Sequence, residues 1–491
     1  MKLLELLTPV PFYTSYSELD NIEVQSLKID SRAIEQGDVF ICITGFSVDG
    51  HNYIPQAIEN GAVAIIAEKK VEAAVPVIVV SDTTRALALL ASHFYNYPSS
   101  QLPLIGITGT NGKTTITYLL DSIYRVNGKK TGVIGTIQMK IGDEAFPIQN
   151  TTPDALFLQR TFHQMIEAGV EQGIMEVSSH ALDQGRVHGT DFDIAIFTNL
   201  SQDHLDYHKD LDDYLRAKSL LFAQLGNSYI KAGRKFAILN ADDSSIDLLK
   251  RSTAQHVLTY GCRNDADVSA TDIQLHAGET TYTLVTPIGT INVKSRLIGM
   301  FNVYNMLAAA SAAIADGVNL QVIKQAFETI PGVNGRFEPV KAGQDFGVIV
   351  DYAHTPDSLE NVLQTVQEFV KGKIYAIVGC GGDRDRTKRP LMAQIATKYA
   401  DHAVLTSDNP RTEQPEAILQ DMVNGLTKET NYEVIVDRKQ AIHHAVALAK
   451  NDDIILIAGK GHETYQQIGH EKLHFDDREV AQEAIVAKER K

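Results

Sequence analysis

The segment Gly109-Thr110-Asn111-Gly112-Lys113-Thr114-Thr115 combines the residue types that hold a polyphosphate. Glycines let backbone N–H groups approach phosphate oxygens, Lys113 supplies a point charge, and a threonine hydroxyl can bind Mg²⁺. The apolar run LIGITG (104 to 109) leads into the loop and the helical pattern ITYLLDSIYRV follows it, so the phosphates would meet a helix N-terminus. The spacing is not GxxxxGK[ST], because neither Gly106 nor Gly109 leaves four residues before Gly112. Strand, GKTT and helix together still predict nucleotide binding rather than a ligand-free glycine turn.

Three other residues are ambiguous alone. Glu176 ends the apolar part of GIMEVSS (173 to 179), where a carboxylate can face a ligand crevice and hold Mg²⁺ or be an ordinary strand-end acid. His204 in QDHLDYH is a metal ligand or a hydrogen-bonded loop histidine. Lys218, within the helical pattern DYLRAKSLLF, reads as a solvated face residue.

Positioning such groups takes parallel sheets, whose strand ends collect at one edge. Short β-rich runs alternate with helical patterns almost throughout: LIGITG, GIMEVSS, DIAIFTN (193 to 199) and FAILNADD (236 to 243). A second series runs through FGVIVDYAH (346 to 354), IYAIVGCGG (374 to 382), HAVLTSDNPR (402 to 411), YEVIVD (432 to 437) and DIILIAGKGHE (453 to 463), and predicts its own sheet. Between 260 and 300 alternation in TTYTLVT and TINVKSR predicts an antiparallel hairpin appended to the central domain. YNYPSSQLP (95 to 103) and PGVNGRF (331 to 337) mark boundaries, and three domains suit 491 residues.

The composition, 44% hydrophobic and 22% charged, is that of a globular protein. A net charge of −16 argues against broad binding to nucleic acid, so anionic ligands must be gripped locally. Cys42, Cys262 and Cys380 are far apart and suggest neither a disulfide framework nor a zinc site, as expected of a reducing cytoplasm. MKLLELLTPVPFY reads poorly as a signal peptide, and the alanine-rich run from Met306 to Ala315 is about half a membrane span, hence expected to be a buried helix.

GTNGKTT, followed by NTTPD (150 to 154), EVSSHALDQGRV (176 to 187) and TNLSQDHLDYH (198 to 208), resembles the Mur ligase family, and DYAHTP, GCGGDRD, SDNPR and GKGHE continue in family order. The resemblance covers nearly the whole chain. It implies a three-domain α/β protein: a UDP-sugar-binding α/β domain over 1–98, a central ATP-binding domain on a P-loop-type parallel sheet over 99–331, and an amino-acid-binding Rossmann-like domain over 332–491. It further implies a cytoplasmic, ADP-forming ligase of peptidoglycan precursor synthesis, serving cell-wall biogenesis, cell shape and division. The reaction implied joins meso-2,6-diaminopimelate to UDP-N-acetylmuramoyl-L-alanyl-D-glutamate through an acyl phosphate, with ATP as co-substrate and two Mg²⁺. A monomer is expected, with neither a nucleic-acid nor a membrane partner.

The resemblance also assigns residues. Gly109 through Thr115 with Asn302, Asn305, Arg336, Asp351 and His354 fall to ATP, although helix capping would equally explain the two asparagines. Lys113, Glu176, His204 and Lys218 are implied to be catalytic. Thr114, Glu176 and His204 would hold metal together with Lys218, as an N6-carboxylysine that requires a neutral amine first. Asn150, Thr151, Thr152, Ser178, Gln184 and Arg186 match the muramoyl-dipeptide contacts, and Ser31 with Ser47, Val48 and Asp49 the UDP-sugar site.

Arg384, Asp408, Asn409, Pro410, Arg411, Gly459 and Glu463 match the diaminopimelate pocket. Diaminopimelate has a carboxylate that lysine lacks, and arginine offers the planar fork to read it. Lysine-adding relatives lack Arg411, so DNPR disfavours L-lysine as acceptor, though Asn-Pro alone is also a good turn former. A folylpolyglutamate-type ligase would share the central fold without explaining DNPR or the first domain. An ATP-driven switch would release ADP without any acceptor.

Overall fold

The computed structural model describes residues 1–491 except 46–47, 228–234, 277–278, 428–430 and 490–491, so Ser47 lies outside the described residues. The first sheet runs in the order Thr14–Ser15, Val77–Val79, Ala64–Ala67, Val39–Ile41 and Leu27–Lys28, parallel except at Thr14–Ser15.

Six parallel strands form the middle of the second sheet, in the order His256–Gly261, Phe236–Asn240, Ile194–Phe197, Leu104–Thr108, Gln172–Glu176 and Thr131–Ile134. Alternation along them feeds two cores. Ile105, Ile107, Ile174, Ile194, Ile196 and Ile238 pack toward the helices Lys113–Val126, Met300–Ala315 and Leu320–Thr329. Leu104, Met175, Ala195, Phe197 and Leu239 pack toward Ala155–Glu167 and Leu211–Ala223 on the other face. Beyond His256–Gly261 come Val268–His276, Glu279–Thr286 and Gly289–Ser295, the last two pairings antiparallel, so the expected hairpin is part of a three-stranded extension.

The third sheet contains all five strands read from the second series, ordered Gly347–Asp351, Ile454–Ala458, Ile374–Val378, His402–Leu405 and Tyr432–Val434, all parallel. Glu338–Pro339 adds an antiparallel edge. The carboxyl ends of these strands deliver Asp351, Asp408 and Gly459 to one edge, as parallel sheets present ligand groups. Met300–Ala315 is buried along most of its length. Among the described residues no helix is long and apolar enough to cross a membrane, and the three cysteines are free thiols.

Candidate functional site

The phosphate loop needs glycine at both ends. Gly109 has φ 142°, and a Cβ there would lie 1.8 Å from Thr198 Oγ1; Gly112 has φ 90°, and its Cβ would meet Asn305 Oδ1 at 2.4 Å. Asn199 shapes the loop by accepting from Thr110 N–H (2.8 Å) on its carbonyl and from Asn111 N–H (2.9 Å) on its side chain. Lys113 Nζ folds back onto the carbonyls of Gly109 (2.7 Å) and Thr110 (2.8 Å). Burial lowers its pKa, while Glu176 and Asp203 oppose the shift.

Glu176 is no idle strand-end acid. It is buried, accepting from Thr114 Oγ1 (3.1 Å), Thr136 N–H (2.9 Å) and Thr136 Oγ1 (2.9 Å). The hydroxyl of Thr114 also accepts from Nη2 of Arg336 (3.1 Å), whose guanidinium stacks 4.5 Å from the Tyr352 ring centroid. Loop, strand end and linker thus meet at one hydroxyl. A cleft of about 350 Å³ opens there, lined among others by Asn111, Thr115, Tyr304, Asn305, Arg336 and Asp351.

Asn302 and Asn305 do not cap the helix, whose N-cap is Gly299. Asn302 Nδ2 donates to the Ile298 carbonyl (2.9 Å), and Asn305 Nδ2 to Asn302 Oδ1 (3.2 Å). Asp351 is buried, which raises its pKa against Arg336 and the N–H groups of Phe337 (2.6 Å) and Ala353 (2.7 Å). His354 turns Nδ1 toward the Tyr352 carbonyl (2.9 Å) and Nε2 toward Asp203 (3.7 Å). Asn111 Nδ2 donates to Asp357 Oδ2 (2.9 Å), a second link from loop to C-terminal sheet.

Beside the loop lies a cluster that sequence reasoning saw only in part. Lys218 is 1% exposed, which overturns its reading as a solvated residue: the helix turns it inward, with Nζ 4.1 Å from the Tyr214 ring centroid. Burial, then the charge of Lys113, pushes its pKa well below the ordinary lysine value, against Asp203. Asp203 is buried too; burial would raise its pKa, but His354, His204 and Lys388 hold it well below the carboxylate range. His204, at φ 56°, is pushed down to about 3 by burial against Asp203, and His180, 4.8 Å away ring to ring, to about 4 by burial and His208. Thr136 and Lys388 lie outside the motifs, and His180 and Asp203 lie within them without having been singled out.

Those imidazoles predict acid lability. Burial, then Arg336, likewise lowers His462 to about 3. Unfolded, all three histidines take up protons near pH ~6.5. Folded, they resist down to about 4 or about 3. Over that window the unfolded chain binds more protons, so stability falls as pH drops. The denaturant midpoint should be lower at about pH 5 than at about pH 7.5, before carboxylates begin to protonate; equal midpoints would contradict this.

On the opposite side of Glu176, Thr152 Oγ1 donates to the Glu176 carbonyl (2.9 Å) and accepts from Ser178 N–H (3.0 Å). Arg186 Nη1 donates to the Thr152 carbonyl (3.0 Å), and its Nε and Nη2 grip Gln184 Oε1. Thr151 reaches Thr136 (3.1 Å), while Asn150 is exposed. Thr151, Thr152, Ser178, Gln184 and Arg186 are therefore one connected patch. In the first sheet's unit Ser31 Oγ donates to Gln56 Oε1 (2.8 Å), Asp49 caps the turn Gly50–Tyr53, and Val48 is exposed. None of these lines the nucleotide cleft.

Asp408, Asn409 and Pro410 are buried and Arg411 half-buried, so DNPR is not a surface turn. Arg411 has φ 51° and donates from Nη1 to the Gly382 carbonyl (2.6 Å). A Cβ on Gly381 would come within 2.9 Å of that nitrogen, and one on Gly459 within 2.6 Å of Asp408 Oδ2. Asn409 Nδ2 donates to Glu463 Oε2 (2.8 Å), and the buried Lys460 bridges Asn409 Oδ1 (3.1 Å) and Glu463 Oε2 (2.9 Å). Arg384 is exposed on the same rim, donating to the Asp383 carbonyl (2.9 Å). Lys460 is a residue the motif reading missed.

Comparison with known proteins agrees in every region. Family models match over residues 23–95 (Mur ligase family, catalytic domain), 107–313 (Mur ligase middle domain) and 335–461 (Mur ligase, glutamate ligase domain). A relative from Oceanobacillus iheyensis, named UDP-N-acetylmuramoyl-L-alanyl-D-glutamate--2,6-diaminopimelate ligase, is 63% identical over 99% of this chain and all of its own. One of the same name from Bacillus cereus is 59% identical over 96% of this chain and 95% of its own. A solved structure with that enzyme's name superposes with TM-score 0.69 at 35% identity, covering 100% of this chain and 99% of the other. With identity this high over full length, and with loop, strand-end acid and linker arginine gathered at one cleft, the chain belongs to the Mur ligase family.

Proposed function

We propose that this chain is an ATP-dependent, ADP-forming ligase that joins meso-2,6-diaminopimelate to UDP-N-acetylmuramoyl-L-alanyl-D-glutamate in peptidoglycan precursor synthesis; the relatives' names give that dipeptide and 2,6-diaminopimelate as what they ligate. The observation that carries the reading is the meeting of Thr114, Glu176 and Arg336 at the mouth of a cleft lined by the phosphate loop. ATP phosphorylates the D-glutamate side-chain carboxylate; the amine of diaminopimelate attacks the acyl phosphate, an amide forms, and phosphate leaves. A carboxylate at neutral pH is a poor electrophile, so the work of the protein is alignment and charge neutralisation.

Lys113 holds the transferring phosphoryl group, Asn302 and Asn305 border the nucleoside end, and Arg336, Asp351 and His354 complete the ATP site from the C-terminal side. Arg186, presented by Gln184 and Thr152, binds the dipeptide carboxylate. Ser31, Ser47, Val48 and Asp49 take the UDP-sugar, within units divided at 1–98, 99–331 and 332–491. Arg411 and Arg384 take the distal carboxylate of diaminopimelate, and Glu463 its ammonium.

The donors in and beside the loop fit a divalent cation: a hydroxyl, a buried carboxylate, an imidazole whose pKa burial lowers to about 3, and a lysine whose pKa burial pushes well below its ordinary value. Thr114, Glu176, His204 and Lys218 as a carbamate would hold two Mg²⁺, which would neutralise phosphate charge. We assign the carbamate because only an unprotonated amine takes up CO₂. Incubation with ¹³C-bicarbonate should give one carbamate resonance that disappears in Lys218→Ala; its persistence there would reject the site. The enzyme is read as a cytoplasmic monomer.

The function is tested by phosphate release with ATP, Mg²⁺ and the UDP-muramoyl dipeptide. Release should require meso-diaminopimelate and be weak with L-lysine. Equal turnover with lysine would reject the specificity, and release without any acceptor would point to a switch or simple ATPase.

A further inference from the structure

Away from the nucleotide cleft, three side chains of the C-terminal sheet converge. His402 opens the strand His402–Leu405, Glu433 lies in the neighbouring strand Tyr432–Val434, and His444 in the helix Arg438–Leu448. Val404 is opposite Glu433 in the parallel register, so His402, two residues earlier, shares the face of Glu433. Ile442 and Ala445 of the helix pack with Val404 on that face. His402 Nε2 lies 3.2 Å from Glu433 Oε1, and His444 Nε2 lies 2.8 Å from Glu433 Oε2. One ligand atom from each residue falls within 4.8 Å of the others.

Both Nε2 atoms are buried and meet Glu433 in ion-pair contact without hydrogen-bond alignment. For His402 the tautomer is set from behind. Asn431 Nδ2 donates to the Asp401 carbonyl (2.5 Å), which turns Asn431 Oδ1 toward His402 Nδ1 (3.2 Å). Nδ1 therefore carries a hydrogen, which leaves Nε2, 3.2 Å from Glu433 Oε1, as the ring nitrogen placed to take a metal ion. A hydrogen-bond acceptor behind the ring, here the Asn431 amide oxygen, orients the imidazole as the partners of metal-binding histidines do.

We propose that His402, Glu433 and His444 bind a divalent transition-metal ion of the Zn²⁺ class. Two imidazole nitrogens and one carboxylate oxygen suit such an ion rather than Mg²⁺, with water completing a tetrahedral shell. Its ligands come from two adjacent strands and the helix beyond them, so the ion braces that edge of the sheet. The strand begins at His402 and leads, about 13 Å on, toward Asp408–Arg411. The site is thus separate from the proposed reaction centre but mechanically continuous with the acceptor pocket.

Calorimetric titration of tag-free full-length protein with ZnCl₂, in saturating Mg²⁺, tests this. Wild type should take up one more equivalent than His402→Ala, His444→Ala or Glu433→Gln, and Zn²⁺ should raise the melting temperature of wild type only. Phosphate release should be unchanged in all three variants, which also reports their folding. If His402→Ala does not fold, the other two decide, because His444 and Glu433 are at 36% and 43% side-chain exposure. Identical zinc uptake by wild type and folded variants, or none by wild type, would overturn the site and leave imidazolium–carboxylate pairs.

Discussion

Lys113→Met should lower phosphate release on the order of 10²–10³-fold, the loss typical when one preorganised donor is removed from developing transition-state charge. Lys113 Nζ rests on two loop carbonyls and is depressed in pKa by burial, a shift that the charge of a bound phosphate would oppose. Methionine keeps the length and apolar stem but removes the N–H donors and the charge. Gly109 and Gly112 still shape the backbone, so nucleotide affinity should fall less than turnover. The check is single-turnover phosphate release beside fluorescent-nucleotide binding. A Lys113→Met enzyme within tenfold of wild type would falsify the role given to the lysine.

Much of this machinery was legible because it is local. A strand, a glycine loop and a helix start are contiguous, so GTNGKTT declares its chemistry in one stretch, and the strands of the third sheet each announce themselves as a short apolar run. Glu176 was a fair guess because strand ends of parallel sheets face ligands. What stayed hidden depends on tertiary burial. Lys218 carries the same letter as any surface lysine, and only packing against Tyr214 strips it of solvent.

Asp203 gains meaning from His354 and Lys388, which are far away in sequence, and Lys460 from Asn409. The Asp203 pairings come from apposition of two units and the Lys460 pairing from packing within one, neither of which any periodicity encodes. They share a consequence: Arg336 on Thr114, Asp357 on Asn111 and Lys388 on Asp203 all cross from the third sheet's side to the loop side. The proposed ATP site would therefore be completed between sheets, and relative motion of the two units would assemble or dismantle it.

Arg411→Ala should reduce kcat/KM for meso-diaminopimelate by about 10²-fold, the worth of charged hydrogen bonds at roughly 1.5–3 kcal/mol each. Turnover with L-lysine should change little, because lysine has no second, distal carboxylate for the fork to meet. The geometry favours a specific effect over a general collapse. Arg411 holds its unusual φ of 51° through its own N–H on Gln467 O (3.1 Å) and its carbonyl under Gly469 N–H (2.7 Å), contacts that alanine keeps. Its guanidinium is anchored by Nη1 on Gly382 O. That anchoring presets the orientation of the planar group, so a bound carboxylate costs little further side-chain entropy. Arg411→Lys should therefore fail to restore the alanine variant, since a point charge on a flexible stem reproduces neither the anchor nor the two-pronged grip. Full rescue by lysine would show that charge alone selects the acceptor, and an equal loss with both amino acids would move Arg411 from specificity to the architecture of the pocket.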